Sequence, residues 1–519
     1  MDGSIAGPLC PPFFGISEYR LDNGLRVLLF RDPSKATITV NMTYFVGSLH
    51  EGYGETGMAH LLEHMLLRSS TRFPDMPGAL RSRGARYNGT TGPDRTNYYE
   101  TLAATEENLE WALDLESDRM VNALLSQADL DTEMTVVRNE LELNENNPMR
   151  VLYERVLATA YLWHGYGKSV VGTRSDIENV PIERLQVFYR RYYQPDNAML
   201  VVAGRFEEQR ALELIARYFG PIPRPERELT ENCTVEPAQD GEREVIVRRV
   251  GDVQILMAGY HGPAGAHEDF IPFQLAAGAL GTEPFGRLYK ALVETGLASQ
   301  IGILASQQRD PGALIFLAML PQDRSLDAAR AAMIETIDGL ADNPITAEEL
   351  ERTRSVTLTG FEQMLLDTQS VALALSNSAS TGDWRLLFLD RDRLRSATLD
   401  DVQRAALKHF KPSNRTVGLF IPGEPDRTEI EHVSASRVAA MLEGYRGDEA
   451  RAEGEAFDPT PANIDARTTR VDLPGGVKLV MLPKDTRGDT VNATIGLHYG
   501  DEESLKGRRS TKRLRSYAA

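Results

Sequence analysis

Short apolar runs alternate with longer stretches of helical period along this chain. LDNGLRVLLFR (21–31) reads as a turn followed by an apolar strand. TITVNMTYFV (37–46) reads as a second strand, apolar and polar residues alternating over much of its length. Helical spacing predicts helices at about 57–68, 105–124, 127–145 and 149–163, then a strand over AMLVVAG (198–204) and a helix over 207–219. The stretch 220–244, rich in proline and charge, predicts a linker. Beyond it, strands are expected at 244–249 and 253–259 and helices at about 268–280, 285–295, 325–341 and 346–375. RTVGLFIP (415–422) reads as a closing strand. The chain therefore holds two α+β units of similar size and element order.

A third start follows a polar, Ala/Glu/Gly-rich stretch. LDNGLRVLLFRD (21–32) is matched by LPGGVKLVMLPKD (473–485), and TYFVGS (43–48) by GLHYGD (496–501). Both pairs place Leu-x-x-Gly or a glycine turn against alternating apolar residues. The expected organisation is a first unit at 17–222, a linker at 223–243, a second unit at 244–445 and a linker at 446–468. The start of a third unit then covers 469–507. The final RRSTKRLRSYAA (508–519) is basic and breaks the pattern. A truncation or frame disruption inside the third unit is the expectation this break creates.

Composition narrows the chemistry. With 57 Lys and Arg against 75 Asp and Glu, the formal charge is −18. Repulsion from phosphate backbones argues against a nucleic-acid partner, and the charge suits attraction of basic peptides. No apolar run reaches the roughly 18 residues a bilayer span requires. The N-terminus MDGSIAGPLCPPFFG carries no secretory signal, so a cytoplasmic location is expected for the chain as written, and a periplasmic one for a start further upstream. The two cysteines, Cys10 and Cys233, exclude a disulfide scaffold or a cysteine metal cage. A metal must then be held by histidine and carboxylate. GxSxG elbows and Gly-rich phosphate loops are absent, which leaves a serine hydrolase without support. His164, in a turn beside Trp163, reads as structural.

The chemistry concentrates in GMAHLLEHMLLRSS (57–70). On a helix, His60 and His64 share a face four residues apart and can reach one ion. Glu63 lies on the same side and can meet a reacting water without competing as a ligand. With nine histidines in 519 residues, a chance HxxEH arises on the order of once in a hundred chains. A catalytic zinc site needs a third protein ligand and an open fourth position. The helix expected over DLDTEMTVVRNELELNENNP (129–148) offers two carboxylates, Glu133 and Glu140, two turns apart and on nearly one face.

HLLEH is the inverted zinc motif HxxEH, and the chain resembles the pitrilysin/insulinase (M16) family of zinc metallopeptidases. Glu140 lies 140 − 64 = 76 residues past the motif, as the family's third ligand does, and Glu133 sits seven residues before it. RGARYNGTTGPDRTNYYET (83–101) is similar to the family's edge strand and its lead-in, and GRLYKALVE (286–294) to a helix of its second unit. The resemblance covers nearly all of 17–507. It implies two tandem α/β sandwich units, mainly antiparallel sheet packed by helices, forming one half of a clamshell. It implies Zn²⁺ bound by His60, His64 and Glu140, with Glu63 as general base and Glu133 orienting the ligands. Substrate is expected as a strand added to a sheet edge within Asn88–Thr101, with Asn88, Thr90 and Thr91 as contacts.

Two departures stand out. Leu67-Arg68-Ser69-Ser70 replaces the family's Phe-Lys-Gly-Thr-like turn. The family's other half supplies an Arg and a Tyr near the scissile bond, and LVETGLASQIG (292–302) has neither. The expected function is zinc-dependent endopeptidase action on short or unfolded polypeptides, with a second M16-type half or a homodimer completing the chamber. The rivals are a non-catalytic or partner-dependent subunit, and a zinc hydrolase of another class.

Overall fold

The computed structural model describes residues 11–428, 430–498, 500, 501, 503 and 506. Residues up to 427 form one compact unit and those from 428 a second.

In the larger unit the first sheet is built from β1 (Ile16–Arg20), β2 (Arg26–Arg31), β3 (Thr37–Tyr44), β4 (Arg86–Thr91), β5 (Thr96–Ala103) and β6 (Ala198–Gly204). Its spatial order is β1-β2-β6-β3-β5-β4. Only β2 and β6 run parallel, Arg26 opposite Met199 and Arg31 opposite Gly204. The second sheet holds β7 (Arg243–Arg249), β8 (Val253–His261), β9 (Gln300–Ala305), β10 (Ala313–Pro321) and β11 (Arg415–Pro422), in the order β7-β11-β8-β10-β9. This is the first sheet's order with β1 removed, including a parallel pair at the same place, β7 with β11. The repeated element order seen in the sequence is therefore a repeated topology.

The helices that matter for packing are α1 (Met58–Leu66), α2 (Met76–Ser82), α3 (Glu106–Asn122), α4 (Gln127–Glu145) and α5 (Pro148–Ala160), then α6 (Arg174–Ile177), α7 (Ile182–Tyr192) and α8 (Glu208–Phe219). After the linker come α9 (Phe270–Gly281), α10 (Leu326–Asp338), α11 (Ala347–Met364), α12 (Thr368–Ser380), α13 (Leu386–Ser396) and α14 (Leu399–His409). One face of the first sheet packs on α1, α3, α4, α7 and α8 through Val27, Val40, Met42 and Leu200. The other face, through Leu28, Met199 and Val201, packs on Val371 and Leu375 of α12 and Phe388 of α13. The second sheet packs on α9, α10, α11 and α14 through Leu256, Phe316 and Leu419. Its other face, through Met257 and Ile315, takes Leu152 and Val156 of α5. Each sheet thus has its second face covered by helices from the other half of the chain. The linker at 223–243 separates two sheets but not two independent cores.

Double coverage explains the strand patterns. All seven residues of β6 are buried, so it reads as an unbroken apolar run. In β3 the alternation is real, yet Thr39, Asn41 and Thr43 are buried as fully as the apolar positions. Their face meets α12: Thr39 Oγ1 lies 3.0 Å from Thr368 Oγ1, and Thr43 donates to Ser376 Oγ at 2.7 Å. Asn97 Nδ2 donates to Asn41 Oδ1 at 2.8 Å. The polar stripe is a hydrogen-bonded layer, not a solvated surface.

Two helix predictions need correction. The stretch expected as one helix over 346–375 is α11 and α12, because Asp367 accepts from Ser370 N–H at 2.8 Å and starts a new helix there. The helix expected over 285–295 is ordered as a single π-helical turn, Tyr289–Val293.

In the smaller unit, β12 (Thr469–Leu473) pairs antiparallel with β13 (Val477–Met481). This hairpin is the counterpart of β1–β2, closed by a shorter turn. Short helices, Ala435–Met441 and Pro461–Arg467, precede it. The described residues of GLHYGD form no strand. Cys10 and the basic tail 508–519 lie outside the described residues. Among the described residues no helix is long and apolar enough to cross a membrane.

Candidate metal centre

Helix α1 turns its apolar side, Leu61, Leu62, Met65 and Leu66, into the first core. His60 and His64 leave from the opposite side, towards α4. That helix is started by Ser126, which accepts from Asp129 N–H at 3.1 Å, and anchored by Leu130, Val137 and Leu141. The anchors hold Glu133 and Glu140 against α1. His60 Nε2 and His64 Nε2 are 3.4 Å apart. Glu140 Oε1 lies 3.7 Å from His60 Nε2, and Glu140 Oε2 lies 3.5 Å from His64 Nε2.

Those separations test whether an ion fits. Tetrahedral zinc with bonds of about 2.0–2.1 Å places its ligand atoms about 3.3–3.4 Å apart. The three donors, all within 4.8 Å of one another, match that triangle with small adjustments of the Glu140 carboxylate. Two imidazoles and a carboxylate are also the donor types zinc takes when thiols are absent.

Glu133 does not join the triangle. Its Oε2 lies 3.5 Å from His64 Nδ1, and its Oε1 is paired with Arg68 Nη1 at 3.0 Å. A carboxylate on Nδ1 would hold the imidazole with Nε2 turned towards Glu140. The turn that departs from the family pattern thus retains a cation, Arg68, and pairs it with Glu133. Arg68 carried no role in the sequence reading. Its signal was a positive charge kept at the second position of an otherwise altered turn.

The charges follow from these contacts. Burial pushes His60 down to about 4, with the nearby His64 acting in the same direction. Burial also opposes charge on His64, but Glu133 and Glu140 overcome it and push His64 up to about 9. The hydrogen bond from His64 holds Glu140 below the usual carboxylate range. Burial raises Glu63, with the Thr91 hydroxyl pulling the other way. A buried carboxylate with a raised pKa is suited to receiving a proton.

Glu63 is positioned by the hairpin β4–β5. Thr91 Oγ1 donates to Glu63 Oε2 at 2.6 Å, which leaves Oε1 for a reacting partner. Gly89 lies directly against it: a Cβ there would fall 2.8 Å from Glu63 Cγ and Oε1. Strand alternation sends Asn88 and Thr90 the other way. Asn88 is exposed, and Thr90 bonds Asn97 and Arg95. The structure therefore brings Thr91 to the centre and leaves Asn88 and Thr90 on the opposite face. The segment expected as one edge, 88–101, is a hairpin. Only β4 is the edge, while β5 lies between β4 and β3. Sequence reading passed over Gly89; its signal was a glycine inside a strand pattern, which marks close approach.

Gly89→Ala is accordingly expected to displace Glu63; if the centre cleaves peptides, turnover should fall at least about tenfold with metal content unchanged. Kinetics beside metal analysis of the same preparation check it, and unchanged turnover would show that Glu63 tolerates the shift.

His164 has the structural role expected of it. Its buried ring puts Nε2 3.1 Å from Asp310 Oδ2, and Glu236 accepts the backbone N–H groups of residues 162–164.

Comparison with known proteins adds an independent line. Residues 26–174 match the family described as insulinase (peptidase family M16), and residues 179–356 match the M16 inactive domain. The zinc protease PqqE of Helicobacter pylori is 28% identical over 415 residues, which are 78% of this chain and 92% of that protein. The crystal structure of a protease from Helicobacter pylori has a TM-score of 0.75 at 26% identity, covering 78% of this chain and 99% of that one. The periplasmic protease PqqL of Escherichia coli shares the fold, with a TM-score of 0.64 at 18% identity. That match covers 91% of this chain but 56% of PqqL.

Proposed function

Because this chain belongs to the M16 (insulinase) family of peptidases, we propose that it is a zinc-dependent endopeptidase acting on short or unfolded polypeptides. The observation that carries the proposal is the convergence of His60, His64 and Glu140 on one point, with Glu63 beside it. Relatives named zinc proteases support zinc as the ion.

His60 Nε2, His64 Nε2 and a Glu140 oxygen would hold the ion. When bound, it supplies Lewis-acid chemistry, polarising the scissile carbonyl and making water a nucleophile near neutral pH. The chain's own residues do the rest. Glu63 Oε1 takes the proton of the attacking water and passes it to the leaving amine, while Thr91 holds Oε2. Glu133 and Arg68 keep His64 in the required orientation.

Substrate recognition follows from the free edge of β4. An extended peptide can add to that edge through main-chain hydrogen bonds, which reads backbone more than side chains. A segment already held in a folded protein's own sheet must leave that pairing to extend along β4, so unfolded chains are favoured. The net charge of −18 favours basic peptides over acidic ones. Since this chain covers all of the first half of PqqL but 56% of the whole protein, we propose a second M16-type half across the site, from a partner or a second copy.

The test is cleavage of an unstructured, internally quenched peptide by the purified protein, alone and with a second half supplied. Chelation should stop cleavage and one equivalent of zinc should restore it. Stoichiometric zinc without cleavage in either setting would overturn the peptidase reading in favour of a zinc-binding subunit.

A further inference from the structure

Helix α1 lacks a cap of its own. Its N-cap position is Gly57, which has no side chain to accept from the first turn. The usual capping residues cannot stand there. Gly57 has φ +85°, and a Cβ would fall 2.3 Å from Val171 O and 2.9 Å from Ile177 Cδ1. The orphan N–H groups of the turn that carries His60 must therefore find an acceptor from elsewhere.

That acceptor is Glu51. Its side chain is buried, at 4% exposure. Its Oε2 accepts from Gly57 N–H at 2.8 Å, and its Oε1 accepts from Ala59 N–H at 2.7 Å, one residue before His60. Met58 N–H is taken by Glu55 O at 3.2 Å. Lys168 Nζ donates to Glu51 O at 3.1 Å and ties the segment to the loop that crowds Gly57. A carboxylate at a helix N-terminus also matches the positive end of the helix dipole.

We propose that Glu51 is a positioning residue of the metal centre: its carboxylate fixes the first turn of α1 and thereby the distance between His60 and its fellow ligands. The inference rests on the zinc reading of the site given above. Glu51 touches neither metal nor substrate, and it acts through the backbone of Gly57 and Ala59. Its loss lets the first turn fray, so only a fraction of molecules present His60 correctly, and apparent zinc affinity falls by that fraction.

The experiment compares wild type with Glu51→Gln, Glu51→Ala and Thr346→Ala. Thr346 caps α11 and is the control for loss of a helix cap away from the centre. Measurements are made at about pH 8, above the value of about 7 to which burial raises Glu51. The first readout is amide hydrogen exchange at Met58–His60 in metal-free protein; the second is zinc affinity by chelator competition. Glu51→Ala should speed exchange in that turn and weaken zinc binding about tenfold, in line with the loss of a cap. Glu51→Gln, which keeps one acceptor oxygen, should fall between. Thr346→Ala should lower stability without moving either readout.

Zinc affinity that drops no more in Glu51→Ala than in Thr346→Ala would overturn the proposal. Should Glu51→Ala fail to fold, Glu51→Gln carries the same comparison. A wild type that binds no zinc would sink the zinc reading, and the exchange data would still report whether Glu51 holds the turn.

Discussion

Glu63→Gln should lower kcat for peptide hydrolysis by about 10²–10⁴-fold, the range that general acid–base catalysis contributes, and leave zinc content at one equivalent. The separation follows from geometry. Glu63 lies outside the donor triangle of His60, His64 and Glu140. An amide at position 63 still accepts the Thr91 hydroxyl that holds Oε2 at 2.6 Å. What it cannot do is take a proton from water. Burial raises the pKa of Glu63 against the pull of the Thr91 hydroxyl, which strengthens it as a proton acceptor. Metal analysis and steady-state kinetics on one preparation decide the matter. A variant that retains most of its turnover would assign the base elsewhere.

His60→Ala and Glu140→Ala should each remove zinc, with affinity falling by more than about 100-fold, beyond the 10–100-fold that orienting partners contribute. Glu133→Gln should fall within that smaller range, because Glu133 touches His64 Nδ1 and Arg68 but not the donor point. Acidity should act on the native site in the same sense. His64 is held protonated up to about pH 9 in the metal-free chain by Glu133 and Glu140, against the effect of burial. Zinc must displace that proton, so affinity should fall about tenfold for each pH unit below 9. The same raised value stabilises the metal-free fold fully below the ordinary histidine pKa of about 6.5 and is lost as pH rises through 9. Competition with a chromophoric chelator across that range measures the slope. Stoichiometric tight zinc in both ligand variants would show that other residues hold the ion.

Much of the centre was legible because its spacing is local. An i, i+4 pair of histidines needs only a helix to share a face, and α1 supplies it. The seven-residue step between Glu133 and Glu140 likewise needs only α4, whose observed span, Gln127–Glu145, is the span its periodicity predicted. Strands with long apolar runs, such as β6 and β11, were legible for the same reason. The elements passed over were not all silent: β10, ALIFLAMLP, carries an apolar run like that of β6, and α7 places Ile182, Leu185, Phe188 and Tyr189 at helical spacing. Asp367 is a case where a local signal was present but outweighed by the apolar period running past it.

The residues around Glu63 show the other limit. Nothing near Gly89 in the sequence says that its missing side chain makes room for a carboxylate 26 residues earlier (89 − 63 = 26). Nothing near Glu51 says that its oxygens end on the backbone of α1. Asn88 and Thr90 sit on β4, but alternation turns them away from the centre, and which parity faces inward is set by the register of β4 on β5.

By itself, then, the sequence determined the donor types, their spacing on two helices, the repeated order of elements and the exclusion of a cysteine metal cage, because each depends on residue identity and helical or strand period alone. The tertiary structure decided that Glu140 meets Nε2 of both histidines while Glu133 meets Nδ1 of His64, which residues of the edge hairpin face Glu63, and that each sheet is covered by helices from the opposite half of the chain. Those outcomes depend on how elements far apart in sequence are brought within a few ångströms, and no local period carries that information.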